Sequence, residues 1–127
     1  MKLWLSILFG GALGTGCRYG VSLLVNAWLG TKVFPWATFA INVTGSFLIG
    51  LIAELYHEQI FTSAVWRLAL VTGLLGGFTT FSAFSLENLQ LIRNGAVGLA
   101  LAYAVGSVVL GVSAAWLGMR AGQFCAS

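Results

Sequence analysis

Residues 76–85 read GGFTTFSAFS, and this stretch lies in the middle of a long apolar segment where an ordinary membrane helix carries leucine and valine. Each of two adjacent glycines weakens a helix by about 1 kcal/mol relative to alanine. Backbone that is not helical is tolerated at membrane depth only where protein or a cavity satisfies its polar groups. We therefore expect a helix break at the glycine pair, with hydroxyl and phenylalanine side chains following it.

The composition of the whole chain places it in a membrane. Of its 127 residues, 59% are hydrophobic and 7% are charged, whereas a soluble domain carries about 25% charged residues. The mean hydropathy is +0.96. A helix needs about 20 mainly apolar residues to cross a bilayer, and the sequence offers four such stretches, at about residues 3–29, 36–56, 65–93 and 96–122. We predict an all-α membrane protein with one four-span domain whose third helix is broken near its middle.

The tryptophans and the short connections support this prediction. An amphipathic indole ring suits the headgroup layer, and all five tryptophans lie near the ends of proposed spans, at Trp4, Trp28, Trp36, Trp66 and Trp116. The connections between spans leave no room for a soluble catalytic domain. The chain is therefore expected to act within the bilayer.

The basic residues are scattered along the chain instead of clustered, which argues against a nucleic-acid partner. With four spans, Lys2, Arg67 and Arg120 fall on one side of the membrane, and Lys32 and Arg93 fall on the other. A protein with one fixed orientation normally has a clear excess of Lys and Arg on its cytoplasmic side. Because three against two is a weak excess, we hypothesise insertion in both orientations and an antiparallel homodimer in the lipid bilayer.

Glycine pairs spaced four residues apart occur in three of the four spans. This spacing places both glycines on one helix face and lets another backbone approach closely. The pairs are Gly10 with Gly14, Gly16 with Gly20, Gly73 with Gly77, and Gly118 with Gly122. We expect each pair to mark a tight helix contact in a compact bundle.

Two ionisable residues lie inside proposed spans, where such residues are functional-site hypotheses. Arg18 lies past the middle of the first span. It could donate hydrogen bonds to backbone carbonyls, pair with an acidic side chain or attract an anion. Glu87 lies in the third span, shortly after the phenylalanine and serine stretch. It could pair with Arg18, bind a proton or lie at a water-filled mouth, and the sequence leaves all three open.

Polar side chains form stripes on two other helices. Thr38, Asn42 and Ser46 recur every fourth residue and share one face of the second span. Tyr103 and Ser107 form a shorter stripe in the fourth span. Such a stripe fits either a wetted path or a hydrogen-bonded seam between helices.

Phe81 and Phe84 are three residues apart and therefore lie on nearly the same helix face. Aromatic rings carry a positive edge, so two ring edges could stabilise a small dehydrated anion without trapping it. The same pair alone also fits ordinary apolar packing. The expected break could hold a cation on freed carbonyls or attract an anion to the start of the second half-helix.

Three motifs, in order along nearly the whole chain, resemble the family of small fluoride channels called Fluc or CrcB. They are the glycine-rich segment 10–14 with Arg18, the segment Trp36–Asn42, and the segment Thr72–Glu87, which is the longest and most specific. The resemblance implies a dual-topology homodimer in the bacterial inner membrane, with two antiparallel subunits forming two pores. It also implies passive, fluoride-selective conduction that lowers fluoride in the cytoplasm.

The resemblance further implies roles for individual residues. Phe81 and Phe84 match pore phenylalanines whose ring edges meet the ion, and Asn42 matches a pore amide that donates to it. Arg18 matches a vestibule arginine, and the other implied pore residues are Thr38, Ser82, Glu87, Tyr103 and Ser107. The backbone carbonyls of Gly76 and Thr79 match a site for a structural sodium ion at the dimer centre, to which each subunit contributes two carbonyls.

Three other classes of protein fit the sequence less well than the family it resembles. A proton-coupled small multidrug exporter also has four short spans, but it needs an acid in the first span, which here has only Arg18. A structural subunit would use every polar stripe as a packing seam. An enzyme fits least, because His57 is the only histidine and no metal-ligand cluster is evident in the sequence. Cys17 and Cys125 have no other metal-ligating residue type near them in the sequence.

Overall fold

A computed structural model of the protein describes residues 1–30 and 33–127. Four helical segments are long and apolar enough to cross a membrane. They are Lys2–Leu29, Trp36–His57, Ala64–Arg93 and Val97–Ala126. The described residues contain no β-strand. The prediction of an all-helical membrane protein with four spans is therefore confirmed.

The first two spans are continuous helices, α1 (Lys2–Leu29) and α2 (Trp36–His57), whereas the third is built from unlike pieces. It begins with α3 (Ala64–Arg67), widens into a π-helix (Leu68–Leu75), and continues as α4 (Gly76–Phe78) and α5 (Phe81–Arg93). The π-helix and α4 are continuous, and the N–H of Gly76 reaches back five residues to the Val71 carbonyl. The fourth span is α6 (Val97–Ala126).

Between α4 and α5 the backbone is extended at two residues. Thr79 has φ −78° and ψ 157°, and Thr80 has φ −151° and ψ 114°. Thr80 then caps α5, because its hydroxyl accepts a hydrogen bond of 3.2 Å from the Ala83 N–H. Helical hydrogen bonding is thus interrupted at membrane depth, after α4 and before Phe81.

The glycine pair does not itself form this interruption, which corrects our expectation about its position. Gly76 and Gly77 are helical. A Cβ on Gly77 would lie 2.5 Å from the Gly11 carbonyl oxygen and 3.1 Å from Thr15 Oγ1. The missing side chain therefore serves close approach to α1. Extended backbone is open to any residue, so Thr79 and Thr80 adopt it without glycine.

α1 packs mainly against the third span, and α2 packs mainly against α6. The helices of each pair are parallel, because alternate spans of a bundle run in the same direction. In the first pair, Gly10 and Gly14 lie against the backbone of Ala69 and Leu74. A side chain on either glycine would overlap a carbonyl oxygen. These contacts fix the height of the π-helix relative to α1.

The second pair uses glycine in the same way. Gly50 lies against the Ala115 carbonyl, Gly118 lies against Phe47, and a Cβ on Gly122 would lie 2.7 Å from Glu54 Cβ. Of the four predicted glycine pairs, only Gly16 with Gly20 faces open space, with nothing within 4 Å of a Cβ at either position. That face of α1 is free for lipid or another chain.

Candidate functional site

The Asn42 side chain of α2 forms hydrogen bonds with both the N–H and the carbonyl of Thr80, in the extended segment of the third span. Its Nδ2 donates to the Thr80 carbonyl oxygen at 3.0 Å, and its Oδ1 accepts from the Thr80 N–H at 2.8 Å. The Thr79 hydroxyl donates to the Leu75 carbonyl at 2.8 Å. An amide side chain has both a donor and an acceptor. Asn42 therefore pairs the Thr80 N–H, which has no helical partner, and gives a second donor to the Thr80 carbonyl, which as the N-cap carbonyl also accepts the first hydrogen bond of α5.

These side-chain bonds leave two backbone carbonyls without helical partners. The Thr80 N–H would bond to the Gly76 carbonyl in a continuous helix, but it bonds to Asn42. The Ala83 N–H would bond to the Thr79 carbonyl, but it bonds to the Thr80 hydroxyl. Within residues 1–30 and 33–127, no hydrogen bond reaches either carbonyl. The two carbonyls implied as sodium ligands are therefore free acceptors.

A cavity of about 430 Å³, which we call the Phe cavity, lies beside the interruption. It brings together seven of the residues singled out by sequence, namely Asn42, Ser46, Gly76, Thr79, Phe81, Phe84 and Ser107. The ring centroids of Phe81 and Phe84 are 5.6 Å apart, with an interplanar angle of 38°. Phe81 is 78% exposed in the single chain. The cavity is thus a groove that is open on one side in the single chain.

Ser107 of α6 contributes an unpaired hydroxyl to the Phe cavity. Its Oγ is buried and has no hydrogen-bond partner among the described residues. Buried polar groups nearly always have a partner, so an orphan points to a missing water or ion. A hydroxyl can donate, and a small anion in the cavity would be a suitable acceptor.

Glu87 of α5 accepts hydrogen bonds at both of its oxygens. Thr38 Oγ1 donates to Oε1 at 2.7 Å, and the Tyr103 hydroxyl donates to Oε2 at 2.8 Å. No ion pair joins Glu87 to Arg18 in the part of the chain that the structure describes, where the sole salt bridge is between His57 and Glu58. The structure therefore gives Glu87 two hydroxyl partners, which the sequence analysis did not foresee, and not Arg18.

Tyr103 links Glu87 to the phenylalanines. It is fully buried, with 0% exposure, and its ring meets Phe84 at a centroid distance of 4.9 Å and an angle of 64°. Phe34 packs on Tyr103 at 5.2 Å in a similar edge-to-face arrangement. This packing holds Phe84 and the Tyr103 hydroxyl in fixed positions between the Phe cavity and Glu87.

Arg18 lies on the other side of Thr80, in a second cavity of about 260 Å³ that we call the Arg18 cavity. Thr15, Ser22 and Thr38 line it as well, and Thr80 lines both this cavity and the Phe cavity. The segment around Thr80 therefore separates a cationic compartment from an aromatic one.

Ser82, like Glu87 and Tyr103, is a predicted pore residue that lines neither of these two cavities. It is exposed, and its Oγ lies 3.4 Å from Thr80 Oγ1. The structure thus places Ser82 beside the cap of α5 and not in the Phe cavity of the same chain.

A polar ladder on α1 was missed by the sequence analysis. Ser22 and Asn26 line a third cavity of about 240 Å³, the Glu87 cavity, together with Thr38 and Glu87. Ser22 and Thr38 also line the Arg18 cavity. The spacing of Thr15, Arg18, Ser22 and Asn26 at intervals of three and four residues could have revealed this face.

Comparison with known proteins gives consistent similarities. The family described as CrcB-like protein, Camphor Resistance (CrcB), matches residues 5–119. A protein of Acidobacterium capsulatum named fluoride-specific ion channel FluC is 47% identical over 121 residues, which cover 95% of this chain and 94% of that protein. The protein of the same name from Thermus thermophilus is 49% identical over 122 residues, covering 96% of each chain. The one from Agrobacterium fabrum is 46% identical over 117 residues, covering 90% of each.

Proposed function

Because the chain belongs to the CrcB family, whose members are ion channels and not enzymes, we propose that it is a fluoride-selective channel that conducts passively. The observation that carries the proposal is the Phe cavity, where Phe81, Phe84, Asn42 and the orphaned Ser107 hydroxyl converge. The lining combines donors and ring edges, and it includes no acid or base.

The chemistry of this lining suits fluoride. Fluoride is small and strongly hydrated, so its water must be replaced by donors and positive ring edges at close range. Asn42 uses one amide hydrogen on Thr80 and retains a second, while Ser107 retains its hydroxyl hydrogen. A larger halide such as chloride would gain less from closely spaced donors. A cationic side chain at the path would hold the ion too tightly for fast conduction, and no lysine, arginine or histidine lines this cavity.

The three cavities support a continuous route. Thr80 is shared by the Phe cavity and the Arg18 cavity, and Ser22 and Thr38 are shared by the Arg18 cavity and the Glu87 cavity. On this proposal, Arg18 raises the local concentration of anions near the path. The Thr38 and Tyr103 hydroxyls both donate to Glu87, which holds the two side chains in place beside this route.

An antiparallel homodimer would complete the groove. Phe81 is 78% exposed in one chain, and a second copy could supply the missing wall. The weak charge bias between the two sides supports insertion in both orientations. We propose that two such chains form two pores in the bacterial inner membrane and that fluoride leaves the cytoplasm down its electrochemical gradient.

The carbonyls of Gly76 and Thr79 fit a structural sodium ion at the centre of this dimer. Unwound backbone carbonyls are the ligands that hold sodium in membrane transporters. Each chain offers two free carbonyls, and two chains would offer four. A sodium ion bound there would supply fixed positive charge between the two anion routes. Asn42 and the Thr80 hydroxyl keep both carbonyls free by taking the N–H groups that would otherwise bond to them.

The proposed function is tested by ion efflux from liposomes that contain the purified protein. Liposomes loaded with potassium fluoride, with a potassium ionophore to balance charge, should release fluoride rapidly. Matched liposomes loaded with potassium chloride should retain chloride. Equal release of both ions would contradict selectivity, and no fluoride release from intact reconstituted protein would contradict channel function.

A further inference from the structure

A cluster of possible metal ligands lies at the end of α2, away from the three cavities. His57 and Glu58 follow Glu54 by three and four residues, at the point where α2 ends in its C-cap Glu58. One ligand atom from each lies within 4.8 Å of the other two. His57 Nδ1 is 3.5 Å from Glu58 Oε1. The sequence analysis did not identify this group, although its spacing is visible in residues 54–58.

Glu54 is the residue that needs explanation. It is only 5% exposed, and its Oε1 accepts a hydrogen bond of 3.1 Å from Gln123 Nε2. Within residues 1–30 and 33–127, no lysine or arginine forms a salt bridge with it, and no hydrogen bond reaches its Oε2. A carboxylate in such a site favours a positively charged partner. Its Oε2 is not fully enclosed, because Ser107 Oγ is the one enclosed side-chain atom without a partner among the described residues, so Oε2 is open to a ligand. A neutral amide orients Glu54 but does not neutralise it.

The surroundings of Glu54 fit a metal ligand. Gln123 is held in turn by Arg120, whose Nη1 donates to Gln123 Oε1 at 3.3 Å. Outer hydrogen bonds of this kind fix the direction of a ligating carboxylate. The cluster also lies at the C-terminal end of α2, where the negative end of the helix dipole favours a cation.

We propose that Glu54, His57 and Glu58 bind one divalent first-row transition-metal ion of the zinc or nickel class. A neutral imidazole and two carboxylates match the ligand preferences of these ions. The side chains of His57 and Glu58 are 79% and 44% exposed, so they are free to rotate until metal–ligand distances reach about 2.0–2.2 Å. Water completes the coordination, and the bound ion balances the charge of Glu54.

This site is independent of the proposed channel activity. The bound ion would link the end of α2 to α6 through Glu54 and Gln123. No residue of the cluster lines the Phe, Arg18 or Glu87 cavity. A binding measurement can therefore succeed or fail whatever the fluoride efflux experiment gives.

The test is isothermal titration calorimetry of metal-free, detergent-purified protein with Zn²⁺ and with Ni²⁺, and with Mg²⁺ as a hard-cation comparison. Cys17 and Cys125 are exposed thiols that also bind zinc, so the parent protein carries Cys17→Ser and Cys125→Ser. We expect one saturable Zn²⁺ site per chain. His57→Ala should weaken it by at least about tenfold, the smallest loss typical of disturbing a metal ligand's surroundings.

Two further variants separate a specific site from general surface binding. Glu58→Ala should also weaken Zn²⁺ binding, whereas Gln59→Ala, next to the cluster but outside it, should bind as the parent does. The proposal is overturned if the parent shows no saturable binding, or if His57→Ala and Glu58→Ala both bind Zn²⁺ as tightly as Gln59→Ala.

Discussion

The two halves of the third span differ in what their side chains contact. The first half, residues 64–78, packs its glycines against the backbone of α1, with Gly73 and Gly77 close to Ile7 and Gly11. The second half, Phe81–Arg93, buries only Leu91 and leaves Phe81 78% exposed. The first half is held against α1 by backbone contacts, and we call it the anchor. The second half presents aromatic and polar side chains to the cavities. The extended residues Thr79 and Thr80 let one span serve both purposes.

The largest expected effect comes from breaking the anchor. A Cβ on Gly14 would overlap the Leu74 carbonyl and lie 2.9 Å from the Phe78 backbone nitrogen. Because neither backbone can move without shifting α4, Gly14→Val should destabilise the fold by about 1–3 kcal/mol or more and abolish fluoride flux. Thermal unfolding in detergent and liposome efflux measure both effects.

Gly16→Val is the matched control, because nothing lies within 4 Å of a Cβ at Gly16 in the chain. It should unfold at the wild-type temperature. Equal destabilisation of both variants would show that the cost comes from helix propensity, and the close contact between α1 and α4 would then not be the cause.

The next effect is on flux without loss of the fold. Phe81→Ile and Phe84→Ile remove the ring edges but keep apolar bulk, so each should lower fluoride flux by at least about tenfold, or about 1.4 kcal/mol in barrier height. Phe124→Ile, at a position 85% exposed near the end of α6, is the control. Wild-type flux in either pore variant would remove that ring from the conduction path.

A substitution of Asn42 tests the hydrogen bonds to Thr80, which lies between the two halves of the third span. Asn42→Asp keeps an acceptor for the Thr80 N–H, loses the donor to the Thr80 carbonyl, and adds negative charge to the Phe cavity. We expect clearly reduced flux and a stability loss of about 0.5–1.5 kcal/mol, the net contribution of one hydrogen bond. Efflux and thermal unfolding distinguish the two effects. Unchanged flux would mean that the Asn42 side chain does not face the ion.

A smaller effect is expected at the two hydroxyls that bind Glu87. Thr38→Val and Tyr103→Phe each remove one donor to the carboxylate and should reduce flux several-fold while costing about 1 kcal/mol of stability. The double variant tests coupling, because residues that act through one partner are not additive. Strictly additive effects on flux would show that the hydroxyls act separately and not through Glu87.

The smallest effect on flux is expected from a substitution in the polar ladder of α1, which contains Thr15, Arg18, Ser22 and Asn26. Ser22→Ala removes a hydroxyl that lines two cavities and that donates to the Arg18 carbonyl at 2.9 Å. We expect a reduction in flux of about twofold, within the contribution of one weak hydrogen bond. Ser6→Ala is the control, because Ser6 also donates to its own helix, at 2.7 Å to Leu3, but lines no described cavity. Equal flux in both variants would remove the ladder from the route.

Much of the architecture could be predicted from the sequence. Hydropathy and length indicate four spans, because the cost of exposing backbone to lipid permits few structures besides helices. The phenylalanine, asparagine and hydroxyl positions could be singled out as well, since polar groups and aromatic pairs at membrane depth stand out against an apolar background. Their convergence in one cavity was only partly predictable, because it depends on the relative heights of α2, the third span and α6.

The exact position of the interruption and the partners of the ionisable residues were decided by tertiary structure. Glycine signals both flexibility and close packing, and only the contact of Gly77 with α1 selects packing. Glu87 had several possible partners, and the helix arrangement places Thr38 and Tyr103 within reach of its two oxygens. Residue type and spacing therefore determined the helices and the candidate polar residues. Which groups meet was decided by the packing between helices, because hydrogen bonds form between neighbours in space that a single helix period does not specify.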